Sequence, residues 1–277
     1  MLKKILIVAA IVITGAVIYL GQAAWVNSQK EVHRSVPAVV ESTSNANSED
    51  SGGSSESNEA ESQTPEGTGD LADLISSQPE DVQEFWLSSQ ESGETVDITF
   101  VATESAVTQE ENWTTLVEEG FLSSYEEVDF TFSLITHENE GTSQDWLTSL
   151  QSEAVSFEGK DIILYELPVI NDNGMLSSQD QVYYTNRFIE EMQSDFPDVH
   201  LFTLPSQPLY NSTYYPGELE TVREVVEDQD IPFLDHWEDW PSIDDEELEN
   251  YLTEDNDPNE LGSSAWGTYL VNYFSAN

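Results

Sequence analysis

Side chains able to act as a nucleophile or as hydrogen-bond donors occur at three points of the sequence, each beside a short apolar or helical segment. Ser105 follows the apolar residues 96–102 and could expose its hydroxyl as a nucleophile, although this segment alone favours capping of a following helix. Gly141 lies next to the start of a helical segment, where backbone N–H groups are free to donate. Asn171 and Asp172 supply an amide and a carboxylate in a stretch that also fits a plain turn. None of these positions identifies a site by itself.

A base for such a nucleophile would be a carboxylate or a histidine. Glu254 and Asp257 precede the last helical segment. A carboxylate, with an ordinary pKa of about 4, is a poor base for a serine hydroxyl, although crowded negative charge would raise that pKa. His236 follows the fifth apolar run and could supply an imidazole from there. It could equally be half-buried in an aromatic cluster with neighbouring tryptophans, and His137 is a weaker second candidate.

The segments around these residues alternate between short apolar runs and longer amphipathic ones. Strands are predicted over residues 96–102, 128–136, 161–170, 199–204 and 231–235, and helices over 79–90, 110–122, 142–155, 177–196, 215–228, 244–252 and 259–274. Strands separated by helices form right-handed βαβ units, hence a parallel sheet covered on both faces. The sequence therefore predicts an α/β fold with a flavodoxin-like, doubly wound, five-stranded parallel sheet. Ligands of such sheets bind beyond the carboxyl ends of the strands, where the loops with Ser105, Gly141 and Asn171 lie.

Four loops taken in order resemble the SGNH/GDSL hydrolases. That family has Gly-Asp-Ser after its first strand, Gly after its second, Gly-x-Asn-Asp after its third and Asp-x-x-His-Pro-Asn before its last helix. The corresponding residues here are Thr103-Glu104-Ser105, Gly141, Val169-Ile170-Asn171-Asp172 and residues 254–259. The resemblance spans most of residues 71–277, and the runs 208–216 and 235–241 resemble a Gram-positive, membrane-anchored branch of the family.

The resemblance implies ester hydrolysis, with Ser105 as the nucleophile. The Ser105 and Gly141 N–H groups and the Asn171 side chain would form the oxyanion hole, where each donor is typically worth about 10²–10³ in rate. Asp257 stands at the position of the family histidine and Glu254 at that of its aspartate, so the catalytic triad is altered. Thr103 and Val169 also replace glycines of the family pattern.

The leading hypothesis is an extracytoplasmic esterase or deacylase that acts on acyl esters, with O-acetylated cell-envelope glycans as the substrate suggested by location. The alternative is a catalytically degenerate domain that binds glycan or serves envelope structure. Exposed aromatic side chains would help glycan recognition, and each candidate could equally be core; the candidates are Tyr210, Tyr214, Tyr215, Trp237 and Trp240. We expect no cofactor and a monomer.

Residues 1–35 are predicted to be a signal anchor and juxtamembrane segment. Lys3 and Lys4 precede an uncharged stretch over residues 5–29, enough for the roughly 20 residues that cross a bilayer, and they place the rest of the chain outside the cytoplasm. A cleaved signal peptide is the other reading and also places the domain outside. Residues 36–70 are acidic, rich in serine and glycine, and predicted to be a disordered stalk. The hydrolase-like domain covers residues 71–277.

The charge of the chain excludes some partners. Its 55 Asp and Glu residues outnumber seven Lys and Arg residues, for a formal charge of −48, which makes nucleic-acid binding unfavourable. Acids spread over the whole chain favour adaptation to salt over a dedicated cation site. The acidic run 255–260 lacks the glycine and the terminal acid of a calcium loop. The absence of cysteine excludes disulfides and cysteine-ligated zinc.

Overall fold

The structure, a computed structural model, describes residues 71–125, 127–137 and 141–275. The predicted anchor (residues 1–35) and stalk (residues 36–70) lie outside these residues. Within the described ranges, no helix combines the length and the apolar character needed to span a bilayer.

Four parallel strands form the central sheet. They are β1 (Val96–Thr103), β2 (Phe130–His137), β3 (Ile162–Leu167) and β4 (His200–Pro205), in the order β2-β1-β3-β4. All six residues of β3 are buried, as are seven of the eight in β1. Central strands of a parallel sheet are covered on both faces, which explains why these two segments are almost continuously apolar in sequence.

The prediction of a fifth strand over residues 231–235 is wrong in extent. This segment makes a single parallel bridge between Thr203 and Phe233. The flanking hydrogen bonds run from Thr203 N–H to Pro232 O at 2.9 Å and from Leu234 N–H to Thr203 O at 2.8 Å. Pro232 has no N–H to donate, so the ladder cannot extend on both sides of the bridge. The described sheet therefore has four strands.

Eight α-helices surround the sheet in the described residues. Their bounds are α1 Leu71–Leu74, α2 Glu80–Ser92, α3 Trp113–Ser124, α4 Ser143–Gln151, α5 Val169–Asp172, α6 Ser178–Asp195, α7 Tyr215–Glu227 and α8 Glu260–Ser275. Three short 3-10 helices cover Glu104–Val107, His236–Asp239 and Glu246–Tyr251. The last of these replaces the α-helix predicted over residues 244–252, where three glutamates within two turns repel one another.

The sheet separates two hydrophobic layers. Alternate residues of a strand point to opposite faces, so Phe100 packs with α2, α3 and α8 while Val101 packs with α4, α6 and α7. On the first side, Trp113 of α3 stacks on Trp266 of α8 with ring centroids 4.9 Å apart. These layers hold the strands in place, and the loops at their carboxyl ends all open on one edge of the sheet.

Candidate functional site

A cleft of about 460 Å³ opens at the carboxyl edge of the sheet. Its lining comes from the loops after β1, β3 and β4 and from the segment before α8: Ser105, Ile170, Asn171, Gln207, Leu209, Asp255, Asn256 and Asp257. Three residues that the sequence singles out, Ser105, Asn171 and Asp257, thus share one cleft. A second cavity of about 320 Å³ lies at the opposite edge, beside the start of β4, and contains His200 and Asp81.

Ser105 lies in the 3-10 helix that directly follows β1. The residue preceding this helix is Thr103, so Ser105 is not its N-cap. Ser105 is half-buried, and its hydroxyl donates to the Thr103 hydroxyl, with an oxygen–oxygen distance of 3.3 Å. This contact is long for an O–H···O hydrogen bond, for which about 2.7–2.8 Å is typical. The serine hydroxyl is therefore held only loosely and faces the cleft.

Glu166 holds the end of β1 from the neighbouring strand. The Thr103 N–H donates to Glu166 Oε2 at 2.8 Å, and the Thr103 hydroxyl donates to Oε1 at 2.9 Å. Only 1% of Glu166 is exposed. Burial raises the pKa of Glu166 to about 7, against the opposing effect of hydrogen bonds from Thr103 and Ser206. The side chain therefore changes charge near neutral pH.

Sequence reasoning missed Glu166. The residue lies in the strand predicted over residues 161–170, and in β3 as observed, Ile162–Leu167, it is the only charged side chain. Carboxylates are almost never fully buried without a partner or a role. A lone acid inside a segment predicted to be covered on both faces was thus the available signal.

Gly141 and Asn171 lie together. The Asn171 side-chain amide donates to Gly141 O at 3.1 Å, which uses one of its two N–H groups. A Cβ atom built on Gly141 would lie 2.1 Å from His137 Nδ1, so no larger residue fits without moving that ring. His137 packs on Trp146, with ring centroids 4.9 Å apart, and is not among the residues lining the cleft.

Asp172 fixes the loop after β3 to the start of α4. Its Oδ1 accepts from the Ser143 N–H at 2.8 Å, and the side chain is 1% exposed. Burial raises the pKa of Asp172 to about 6, and hydrogen bonds from Ser143 oppose that shift. Since Asn171 precedes Asp172 in the short helix α5, this bond also sets where the Asn171 amide lies.

Of the two predicted acids before α8, only Asp257 reaches the cleft. It is half-buried, and burial together with the nearby Asp255 charge raises its pKa. The turn that carries it is closed by Thr253, whose N–H donates to Asp257 O at 2.8 Å. Glu254 is exposed to solvent and does not line the cleft. The structure therefore does not bring the predicted Glu254–Asp257 pair together at Ser105.

His236 is a core residue, which corrects its assignment as a displaced base. It is fully buried, and its ring stacks on Trp266 with centroids 4.1 Å apart. Trp240 Nε1–H donates to His236 Nδ1 at 3.0 Å, so Nε2 carries the proton, 2.8 Å from Pro205 O. Burial lowers the pKa of His236 to about 3. Because both nitrogens are hydrogen-bonded, the imidazole has no free nitrogen to accept a proton from Ser105. The structure therefore agrees with the alternative interpretation, in which His236 lies in an aromatic cluster.

The aromatic candidates for glycan recognition divide between core and surface. Tyr215 is fully buried and Trp240 nearly so, and Trp237 is half-buried with its indole N–H donating to Ser206 O at 2.8 Å. Tyr214 is 77% exposed and Tyr210 is 36% exposed. Tyr210 directly follows Leu209, a residue of the cleft lining, so Tyr210 is the exposed tyrosine next to the cleft in sequence.

The sheet order, the helices on both faces and the position of the cleft together define an α/β fold similar to that of the SGNH/GDSL esterases. The solved structures that resemble it include a two-domain esterase active on acetylated mannans, at 15% identity and a TM-score of 0.54, with 72% of this chain and 54% of that chain covered. TesA matches at 10% identity and a TM-score of 0.52, with 66% and 99% covered. A catalytic variant of Axe2, an acetylxylan esterase from Geobacillus stearothermophilus, matches at 11% identity and a TM-score of 0.51, with 65% and 94% covered.

These similarities show a shared fold at low sequence identity. No protein-family model matches the sequence, and no curated protein matches it. Among the described residues, no group of three or more His, Cys, Asp or Glu side chains is arranged to hold a metal ion.

Proposed function

We propose that this chain is a serine ester hydrolase with Ser105 as its nucleophile. The observation that carries the proposal is that Ser105 and Asn171 line one cleft at the carboxyl edge of the sheet, with Gly141 hydrogen-bonded to Asn171. A serine hydroxyl and a side-chain amide that share a cleft are the parts needed to attack an acyl carbon and to hold the resulting oxyanion, and the neighbouring Gly141 N–H is the second oxyanion donor that we propose.

In the proposed reaction, Ser105 Oγ bonds to the acyl carbon of an ester. The negative charge on the carbonyl oxygen is held by the Gly141 N–H and by the second N–H of the Asn171 amide. Each such donor is worth about 10²–10³ in rate, because it is oriented toward the developing charge before the reaction begins. Asp257 lines the same cleft, and in the proposed scheme it orients the water that releases the acyl group. Glu254 and His236 take no part in this scheme.

As substrate we propose O-acetyl esters of cell-envelope glycans. Two of the structures that share the fold are described as esterases of acetylated mannan and xylan, which supports a sugar acetate as the ester. The exposed side chain of Tyr210, which follows the cleft residue Leu209, supplies an apolar face for a sugar ring. A cleft of about 460 Å³ has room for a sugar with its acetyl group.

The extracytoplasmic location is a further part of the proposal. Its support is the uncharged stretch over residues 5–29 behind Lys3 and Lys4, followed by an acidic stretch that lacks large apolar residues. Fractionation of cells that express the full chain should place it in the membrane, and a protease added to intact cells should release the domain. Recovery in the cytosol would contradict the proposed location but would not bear on the proposed ester hydrolysis.

The test of the chemistry is labelling of the full chain with a fluorophosphonate, alongside hydrolysis of p-nitrophenyl acetate and acetylated xylan. Ser105→Ala should abolish labelling and hydrolysis, and Asn171→Ala should lower hydrolysis about 10²-fold or more. Ser123→Ala, on the exposed face of α3, is the matched serine control and should change neither. A folded wild-type protein that is neither labelled nor active would refute the hydrolase.

A non-catalytic glycan-binding domain is the second candidate. The observation that favours it is that His236 is buried with both nitrogens engaged, so no imidazole lines the cleft. Titration calorimetry with acetylated xylo-oligosaccharide would separate the two functions. Binding by an unlabelled, inactive wild type, lost in Asn171→Ala, would establish this second function in place of the first.

A further inference from the structure

A chain of two hydrogen bonds joins the candidate nucleophile to a buried carboxylate. Ser105 Oγ donates to Thr103 Oγ1 at 3.3 Å, and Thr103 Oγ1 donates to Glu166 Oε1 at 2.9 Å. The donors point in one direction, from the cleft into the sheet. A proton leaving Ser105 therefore has a continuous path to Glu166 through a single intervening hydroxyl.

The surroundings of Glu166 keep it available as a proton acceptor. Thr103 faces it from β1 and Ser206 from the loop after β4, and the other titratable side chains that interact with its charge are Tyr165 and Tyr215. No basic residue of the described ranges pairs with it. Those residues are engaged elsewhere: Lys160 with Asp97, Arg187 with Glu190 and Glu191, and Arg223 with Glu227 and Asp235. Only hydrogen bonds stabilise the ionised form.

Burial and the hydrogen bonds together give the Glu166 carboxylate a basicity suited to accepting a proton from Ser105. Burial without a cation raises the pKa of Glu166 to about 7, whereas a surface carboxylate would remain near 4. General-base catalysis works best when the pKa of the base lies close to the operating pH. His236 lacks a free nitrogen, and Asp257 has no hydrogen bond to Ser105, so Glu166 is the titratable group linked to the serine.

We propose that Glu166 receives the proton of Ser105 through the Thr103 hydroxyl as Ser105 attacks an ester. The inference rests on the proposed hydrolase function. As the bond from Ser105 Oγ to the acyl carbon forms, the serine proton moves to Thr103 Oγ1 and the original Thr103 proton moves to Glu166 Oε1. The two transfers are concerted, so Thr103 never carries a charge. Thr103 and Glu166 act through Ser105 and are positioning residues that do not touch the substrate.

The proton balance closes over the whole hydrolysis. When the tetrahedral intermediate collapses, the leaving alkoxide takes a proton from water in the cleft. The hydroxide so formed attacks the acyl-serine and releases the acid, and Ser105 Oγ takes back its proton from Glu166 by the same path. The resting distance of 3.3 Å between Ser105 and Thr103 would shorten in the reacting complex, as catalytic hydrogen bonds commonly do.

The test measures the rate constant of fluorophosphonate labelling between pH 5 and 9, because fluoride leaves without needing a proton. The wild-type rate should rise with pH about a midpoint near 7. Thr103→Val and Glu166→Gln should each lower the plateau about 10²-fold or more, and Thr103→Ser, which keeps the hydroxyl, should retain the rate within about tenfold. Glu104→Gln, an exposed carboxamide change on the same 3-10 helix, is the matched control.

The outcomes separate this inference from the function on which it rests. A folded wild type without labelling would refute the hydrolase and the proton path together. A labelled wild type whose rate and midpoint survive in Glu166→Gln would refute the path alone, and a loss confined to Asp257→Asn would assign the base to the cleft carboxylate. If the variants fail to fold, the pH dependence of labelling of the wild type still tests the proton path, because a rate that does not rise about a midpoint near 7 would contradict it. The transfer of two protons in one step predicts that the labelling rate varies along a curve as the deuterium fraction of the solvent rises. A straight line would contradict the transfer through Thr103.

Discussion

Replacement of Glu166 by glutamine should make stability less dependent on pH. The carboxyl of Glu166 has a pKa of about 7 in the folded protein, against an ordinary value of 4.5. Between these values the folded protein holds a proton that the unfolded chain has released, so a rise in pH favours unfolding. Stability present below pH 4.5 is therefore lost as the pH rises through about 7. The difference between the two values corresponds to about 3 kcal/mol.

The assay is urea unfolding of the wild type and Glu166→Gln at pH 4.5 and pH 8.5, followed by tryptophan fluorescence. At pH 4.5 both side chains are neutral and of similar shape, so the gap between the two free energies of unfolding should be small. At pH 8.5 the gap should widen by about 3 kcal/mol in favour of the variant, because the wild type then buries a charge. The repulsion among the other acids is common to both proteins and cancels.

Two results would refute this reasoning. A gap that does not change with pH would mean that the Glu166 carboxyl titrates alike in the folded and unfolded chain. A gap of the opposite sign would mean that the Thr103 hydrogen bonds outweigh burial and stabilise the ionised form. Glu104→Gln, a change on the protein surface, should leave the gap nearly flat and serves as the control for loss of one charge.

Further predictions concern the core, the oxyanion hole and salt. His236→Ala should lower the free energy of unfolding by about 2–5 kcal/mol, because it leaves a cavity and an unpaired Trp240 N–H, while the labelling rate of the folded fraction stays unchanged. Gly141→Ala should abolish hydrolysis by displacing His137, and His137→Ala in the same chain should restore part of it; Gly217→Ala, where a Cβ meets nothing, should be neutral. Raising NaCl from 0.1 to 2 M should raise the urea midpoint, because salt screens the repulsion among acids; a lower midpoint would contradict salt adaptation.

Strands β1 and β4 were predictable because the burial of nearly all their residues leaves a direct trace in sequence. The predicted runs at residues 96–102 and 199–204 match β1 and β4 to within one residue at each end. The fifth predicted run has the same apolar composition but contains Pro232, and the missing N–H reduces it to one bridge. The apolar composition of residues 231–235 therefore located the segment correctly, whereas the number of hydrogen bonds that it makes to β4 depended on Pro232 alone.

The sequence predicted which loops lie together at the candidate site, but it did not predict the contacts between their side chains. Parallel strands bring their carboxyl ends to one edge, which is why Ser105, Asn171 and Asp257 could be expected near one another. The burial of His236 could not be expected from its position after an apolar run, because it depends on how α8 packs. The link from Ser105 to Glu166 joins residues far apart in sequence, and only the register between β1 and β3 creates it.

The scarcity of basic side chains also determines how this protein can be followed by proteolysis. Trypsin cleaves after lysine and arginine, and in residues 71–277 these are Lys160, Arg187 and Arg223. Each is held in an ion pair, one before β3, one on α6 and one on α7, so cleavage of the folded protein requires local opening at that element. The three cuts therefore report separately on three parts of the molecule. The same scarcity leaves very long tryptic fragments after unfolding, so detection by mass spectrometry calls for a protease that cleaves at acidic residues.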